Sequence, residues 1–373
     1  MKITKVEALI LRPGDIENIA DSTQDAALIR IETDEGIVGF GEADASPSVV
    51  KAIVESPRSH MLSTGLREVL IGEDPFRIQY LWDRMYQAST FYGRRGAVLM
   101  AMSGIDIALY DLVGKALGVP AHQLLGGARH YQVRAYASTL MPDTPEEARE
   151  EASRLVDEGF TAIKFGWGPF GLDLDRDVEL VAAVRDEVGD GIDILLDIGF
   201  TWKNHIIAAR QIDRIAEYNP YLIEEPLPPD DLVSYAKLRE ISQVPIAFGE
   251  ENTTRHEFVE IFERRAADIV QPDVTRCGGL TEMARIAALA EHYAVPCIPH
   301  AWSTGIVQAA SLHVNAILKE PVFLEYSVRT NPLNQELVVD GVDVAGGMAQ
   351  VPMGPGLGIE IDEDAIQRMT VQV

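Results

Sequence analysis

The chain has 373 residues, 47% of them hydrophobic and 24% charged, which is ordinary for a globular protein with a sizeable core and leaves room for two domains. Its formal balance is −26, from 32 basic and 58 acidic residues, which argues against nucleic acid, since phosphate binding needs clustered Lys and Arg. Two cysteines, Cys277 and Cys297, exclude a disulfide framework and weigh against a cysteine-based zinc site.

Met1-Lys2-Ile3-Thr4-Lys5 is broken by charge too early for a signal peptide, and no apolar run approaches the ~20 residues of a membrane span. The expectation is a soluble cytoplasmic enzyme with no membrane partner. Ile3–Ala8 and Ala27–Thr33 alternate as strands, and Asp34-Glu35-Gly36 turns the chain into Ile37–Glu42 as a hairpin. After about residue 50 the period becomes helical: Ile78, Leu81, Trp82 and Met85 share one face. A longer helix is predicted from Ala97 to Leu117, closed by Gly118-Val119-Pro120. These elements form an α+β unit over residues 1–125.

From about Tyr131 short apolar strands alternate strictly with amphipathic helices. Predicted strands are Val133–Ala137, Ala162–Phe165, Ile192–Leu196, Leu222–Glu224, Ile246–Phe248, Ile269–Gln271, Cys297–Ile298 and Val322–Leu324. Helices between them include Pro145–Asp157, Asp175–Glu187, Trp202–Ala216 and Thr281–His292. This is the pattern of a closed parallel (β/α)8 TIM barrel over residues 126–345, with a doubly wound open sheet as the competing fold. The Gly- and Pro-rich segment 346–373 is expected to fold back on the first unit.

Asp197, Glu224, Glu250, Asp273 and His300 recur at steps of 27, 26, 23 and 27 residues, about the length of one strand, one helix and two loops. They therefore occupy equivalent strand ends, where barrel active sites are built. Asp197, Glu224 and Glu250 each follow an apolar strand, and three converging carboxylates suit Mg²⁺. The bland alternative is three helix caps. Asp273 and His300 come from consecutive strand ends, so the carboxylate could orient the imidazole for proton transfer. Lys164 ends the second strand and could bind a substrate carboxylate or, with its pKa lowered by burial, act as a base. Glu325 ends the eighth strand and could hydrogen-bond a substrate oxygen. Trp167, Trp302 and Arg329 lie near strand ends, where packing and pocket roles are equally open.

Ala101-Met102-Ser103-Gly104-Ile105-Asp106-Ile107-Ala108-Leu109-Tyr110-Asp111-Leu112, Ile223-Glu224-Glu225-Pro226, Gly249-Glu250 and the Asp273/His300 pair together resemble the enolase superfamily, mandelate racemase group, over nearly the whole chain. The resemblance implies a modified barrel of (β/α)7β type under an α+β capping domain made from both chain ends. It implies one Mg²⁺ held by Asp197, Glu224 and Glu250, and removal of the proton α to a carboxylate with enediolate stabilisation. It also implies a homo-oligomer, and two capping loops, around Asp15–Gln24 and Asp44–Val54, that close on the substrate. Two departures stand out. That group usually carries Lys-x-Lys at the second strand, and here the motif is Lys164-Phe165-Gly166. Where Asn often stands two residues after the first ligand, this chain has Gly199. Loss of one base disfavours racemisation. The expectation is a lyase dehydrating a sugar acid to a 2-keto-3-deoxy acid through His300, Asp273, Lys164 and Glu325. A cycloisomerase acting on a sugar-acid lactone is the alternative, and a non-catalytic metal- or ligand-binding relative the third reading.

Overall fold

The computed structural model describes residues 1–19 and 21–371, so the expected loop Asp15–Gln24 and the segment 346–373 are described without Ala20, Gln372 and Val373. Three antiparallel strands, β1 (Ile3–Leu11), β2 (Ala26–Thr33) and β3 (Val38–Ala43), make the capping sheet in the order β1-β2-β3. Inward residues such as Val6, Ala8, Ile29 and Ile31 are buried, as period-two patterning requires. Helix Ala97–Leu117 covers this sheet and ends on Gly118 in the left-handed conformation. Contrary to the expectation from apolar runs, it is long and apolar enough to cross a bilayer. However, 89% of that stretch is buried inside the protein, where it serves as a core helix. The chain end returns to this unit: Val371 N–H donates to the Ile10 carbonyl at 2.9 Å.

Parallel strands β4 (Gln132–Leu140), β5 (Ala162–Gly166), β6 (Asp193–Asp197), β7 (Leu222–Glu224), β8 (Ile246–Phe248) and β9 (Ile269–Val270) follow in spatial order, and β10 (Leu324–Ser327) pairs in parallel with β4. Between β9 and β10 the arc Cys297–His300 joins its neighbour through single bridges, Val270 to Cys297 and Asp273 to His300. The expected eight-stranded sequence is therefore present. Two pieces are shorter or shifted: the seventh makes only bridges, and the eighth begins at Leu324 and not Val322, which puts Glu325 inside the strand. A short antiparallel pair, β11 (Val344–Ala345) and β12 (Met348–Gln350), extends the sheet beyond β4.

The barrel lumen is filled by Tyr136, Ala162, Leu195, Leu222, Ala247, Ile269, Ile298 and Phe323, one from each strand or its immediate approach. All eight are buried, and they form a core separate from the one between strands and helices. Successive strand residues point to opposite faces, so Ile163, Phe165, Ile194, Leu196 and Phe248 face the surrounding helices. The helices start as their sequences dictate. Thr144 accepts from Glu147 N–H, while the Glu147 side chain accepts from Thr144 N–H, a reciprocal cap on Pro145–Asp157.

Capping unit and barrel are joined by buried polar links. Asp106 accepts from Thr281 N–H and Oγ1, both at 2.8 Å, and Trp82 Nε1 donates to the Gly278 carbonyl at 2.7 Å. Glu42 accepts from Thr304 Oγ1 at 2.6 Å and from Val307 N–H at 3.2 Å. Burial pushes the Glu42 and Asp106 carboxyls each up to about 7.

Candidate active site

The lumen residues fix the frame of the site. Two residues beyond a lumen residue the side chain again points inward, one layer nearer the strand C-termini. From Tyr136, Ala162, Leu195, Leu222, Ile269, Ile298 and Phe323 this step gives Ser138, Lys164, Asp197, Glu224, Gln271, His300 and Glu325, all buried. From Ala247 it gives Gly249, whose φ of 138° turns the chain so that the next residue, Glu250, supplies the carboxylate. Alternation alone thus brings together nearly every expected site residue.

Asp197, Glu224 and Glu250 offer oxygens within 4.8 Å of one another, all buried. Burial, then repulsion from Glu224, pushes the Asp197 carboxyl well above its usual range. Like charges gathered out of water need a counter-charge, and a hard oxygen set of this kind could hold a divalent metal. In this arrangement Lys164 provides the counter-charge. Its Nζ lies 2.6 Å from Glu224 Oε1, 2.7 Å from Glu325 Oε1 and 3.7 Å from Asp197 Oδ2. Burial alone would lower the Lys164 pKa, but Glu224 and Glu325 outweigh it and hold the ammonium well above its ordinary value. These carboxylates act against a lowered pKa at Lys164 and favour its role as a positive charge over that of a base.

Glu325 is fully buried at the mouth of the barrel. It accepts from Ser138 Oγ and Ala301 N–H, each at 2.8 Å. Burial opposes its ionisation, yet Lys164 and then His300 bring its carboxyl down to about 2. Gln271, missed in the sequence, donates from Nε2 to Glu224 Oε2 at 2.7 Å.

Asp273 Oδ2 stands 2.5 Å from His300 Nδ1. Asp273 Oδ1 accepts from Thr275 N–H at 2.6 Å and Oγ1 at 2.5 Å, so the carboxylate is held from both sides. His300 Nε2 is 3.3 Å from Glu250 Oε2 and 3.8 Å from Glu325 Oε2. Burial would lower the imidazole pKa, but Glu250 and Glu325 raise it to about 10. Asp273 is held below its usual range: burial opposes ionisation, but the bond to His300 prevails.

Gly166, where the family group usually carries a second lysine, lines the cavity but leaves no room for a side chain beside Asp197. A Cβ there would lie 2.4 Å from Asp197 Cβ and 2.8 Å from the Asp197 carbonyl oxygen. The cavity above these residues has a volume of about 250 Å³, and its walls include Leu140, Trp167, Glu251, Arg276 and Trp302. The first capping loop lines it with Asp21 and Ser22, and the second is tied to it through Arg276. Asp21 accepts from Trp302 Nε1 at 3.4 Å and pairs with Arg329 Nε at 3.1 Å. Asp44 takes Arg276 Nε and Nη2 at 2.8 and 2.6 Å, and Arg276 Nη1 reaches Glu250 at 3.0 Å. No local motif announces Arg276, Asp21 or Asp44, because their partners come from distant chain.

A barrel whose mouth gathers three carboxylates, an Asp–His pair and a lysine under an α+β cap defines the enolase class of enzyme. Residues 1–126 match the mandelate racemase / muconate lactonizing enzyme N-terminal domain, and residues 147–365 match the enolase C-terminal domain-like family. The chain belongs to the mandelate racemase/muconate lactonizing enzyme family of the enolase superfamily. It is 34% identical to D-galactarolactone cycloisomerase of Agrobacterium fabrum, covering 98% of each chain. It is 36% identical to D-galactonate dehydratase of Cronobacter sakazakii, covering 98% of this chain and 94% of the relative. Among solved structures, the 3,6-anhydro-D-galactonate cycloisomerase of Zobellia galactanivorans superposes with a TM-score of 0.89 at 30% identity over 100% of both chains.

Proposed function

We propose that this protein is a Mg²⁺-dependent lyase that dehydrates a sugar acid to a 2-keto-3-deoxy acid. The observation that carries the proposal is the buried Asp273–His300 pair, 2.5 Å apart, with the other imidazole nitrogen beside Glu250 of the carboxylate triad. Asp197, Glu224 and Glu250 would hold the metal, and their oxygen-only chemistry fits Mg²⁺. Bound there, Mg²⁺ would supply positive charge next to the substrate carboxylate, where negative charge grows as the α-proton leaves.

The protein's own residues do the rest. Asp273 fixes His300 so that Nε2 faces the substrate. Neutral His300 takes the α-proton, the Cβ–O bond breaks, and the imidazolium returns that proton to the departing oxygen, which leaves as water. The resulting enol becomes the 2-keto acid. Glu250 is the strongest of the groups raising the His300 pKa, so neutralising that carboxylate moves the imidazole back towards its ordinary range and readies it as a base. Lys164 and Glu325 position the carboxylate end of the substrate, the lysine as a fixed cation. Arg276 ties the Asp44 loop to Glu250, so closure of the cap and geometry of the metal site are linked.

A second reading, cycloisomerisation, is favoured by the two relatives that bear that name. In such a reaction the expelled oxygen would belong to a ring and stay on the product. Incubation with mono- and diacid sugars and their lactones, followed by mass and proton NMR in D₂O, separates the two: dehydration loses water, whereas cycloisomerisation leaves the mass unchanged. The His300→Asn protein should lose about 10²–10⁴-fold in kcat and in α-proton exchange. Unchanged exchange would remove the base from this mechanism.

A further inference from the structure

Two loops at the mouth hold bulky residues in the left-handed backbone region, which such side chains rarely adopt. Trp167 has φ 55° and Phe200 φ 62°. Their rings meet edge to face with centroids 5.5 Å apart and planes at 84°. Gly199 lies beneath them: a Cβ there would sit 2.9 Å from Trp167 Cδ2 and Cε3. The indole therefore rests directly on the Gly199 backbone. Strain of this kind persists where the surroundings impose it, and it concentrates at ligand sites.

The two departures from the family pattern are thus one feature. Gly166 leaves room only for Asp197, and Gly199 leaves room for the indole. Trp167 is half-buried and lines the cavity together with His300. It follows the second barrel strand, whereas His300 ends the seventh, so the two approach the cavity from well-separated sides. Leu140 and Trp302 continue the apolar wall, and the Trp302 N–H is already given to Asp21.

We infer that Trp167 is a specificity-determining residue: an aromatic wall that selects acids whose carbon chain is closed into a ring. This rests on the second reading above, in which the acid is a lactone and the expelled oxygen belongs to its ring; the dehydration reading shares only the acid end of the ligand. A ring offers a continuous C–H face that packs on the indole with its hydroxyls turned to the rim. An extended polyol laid on the same wall would bury hydroxyls without partners, which is costly.

The test is calorimetric binding in the His300→Asn background with Mg²⁺ present, using an aldarate γ-lactone and the matching open-chain aldarate. The lactone should bind more tightly. Trp167→Gly, which relieves the positive φ and so should fold, should weaken the lactone about tenfold and leave the open-chain acid nearly unchanged. Trp167→Phe should restore most of the loss. Gly199→Ala, which displaces the indole without removing it, should give the same loss of selectivity and serves if the first variant is unstable. Equal weakening of both acids, or of neither, overturns the assignment. If the ring preference holds while the unmodified enzyme removes no α-proton from any acid, the proposed reaction fails and the wall stands.

Discussion

At position 166 a missing methyl group governs Asp197, one of the three carboxylates proposed to hold the metal. Gly166→Ala would drive a Cβ to within 2.4 Å of Asp197 Cβ, and the backbone around it is a buried strand end that cannot yield freely. The expected outcome is a folded protein whose Mg²⁺ or Mn²⁺ affinity, measured by titration calorimetry, falls about 10–100-fold, the usual effect of disturbing the support of a ligand. Restoring a lysine there should do more harm than the alanine, because the obstacle is the ligand itself. The absent base is legible in the sequence; its cause is not, since it depends on how closely β5 and β6 approach at the register Gly166 to Asp197.

The strands explain why so much of the site could be read from spacing. Strand ends recurring at near-equal intervals point to Asp197, Glu224, Glu250, Asp273 and His300. The inward step from each lumen residue adds Lys164 and Glu325. Ser138 and Gln271 obey the same step from Tyr136 and Ile269, but an uncharged side chain after an apolar strand gives no signal until the lumen layer is known. Gln271 has a consequence for the metal. Its amide satisfies Glu224 Oε2 at 2.7 Å, and Gln271→Leu should leave that oxygen without a donor and move the carboxylate. A loss of about 10–100-fold in metal affinity with little change in fold, seen by calorimetry and circular dichroism, is the expected result. Arg276 and Asp44 stayed illegible because their pairing spans 232 residues and exists only once the cap is seated.

Across the whole molecule, the cap is held by carboxyls buried at its junction with the barrel. Glu42 ionises at about 7 when folded, raised from 4.5 by burial. Below about pH 4.5 it is protonated in both states; between there and about 7 the unfolded chain loses the proton first. Stability should therefore fall as pH rises through that window, by on the order of 3 kcal/mol from this one group, and level off above it. Glu42→Gln should remove that part of the slope, as read by denaturant unfolding at pH 5 and pH 8. Asp106, raised to about 7 by the same cause, adds a parallel contribution that the Glu42 variant leaves in place.

The lone ammonium of Lys164 among Asp197, Glu224 and Glu325 also bears on the order in which partners can arrive. An organic acid entering a mouth so rich in carboxylates meets net repulsion, and that repulsion is strongest in a protein carrying −26 overall. A divalent cation meets attraction and reverses the local sign. Loading should accordingly be compulsory, cation before acid. Initial-rate patterns at varied Mg²⁺ and substrate should show that sequence, and calorimetry should detect no acid binding after chelation. Random addition would mean that Lys164 turns from its carboxylates to greet the acid on its own.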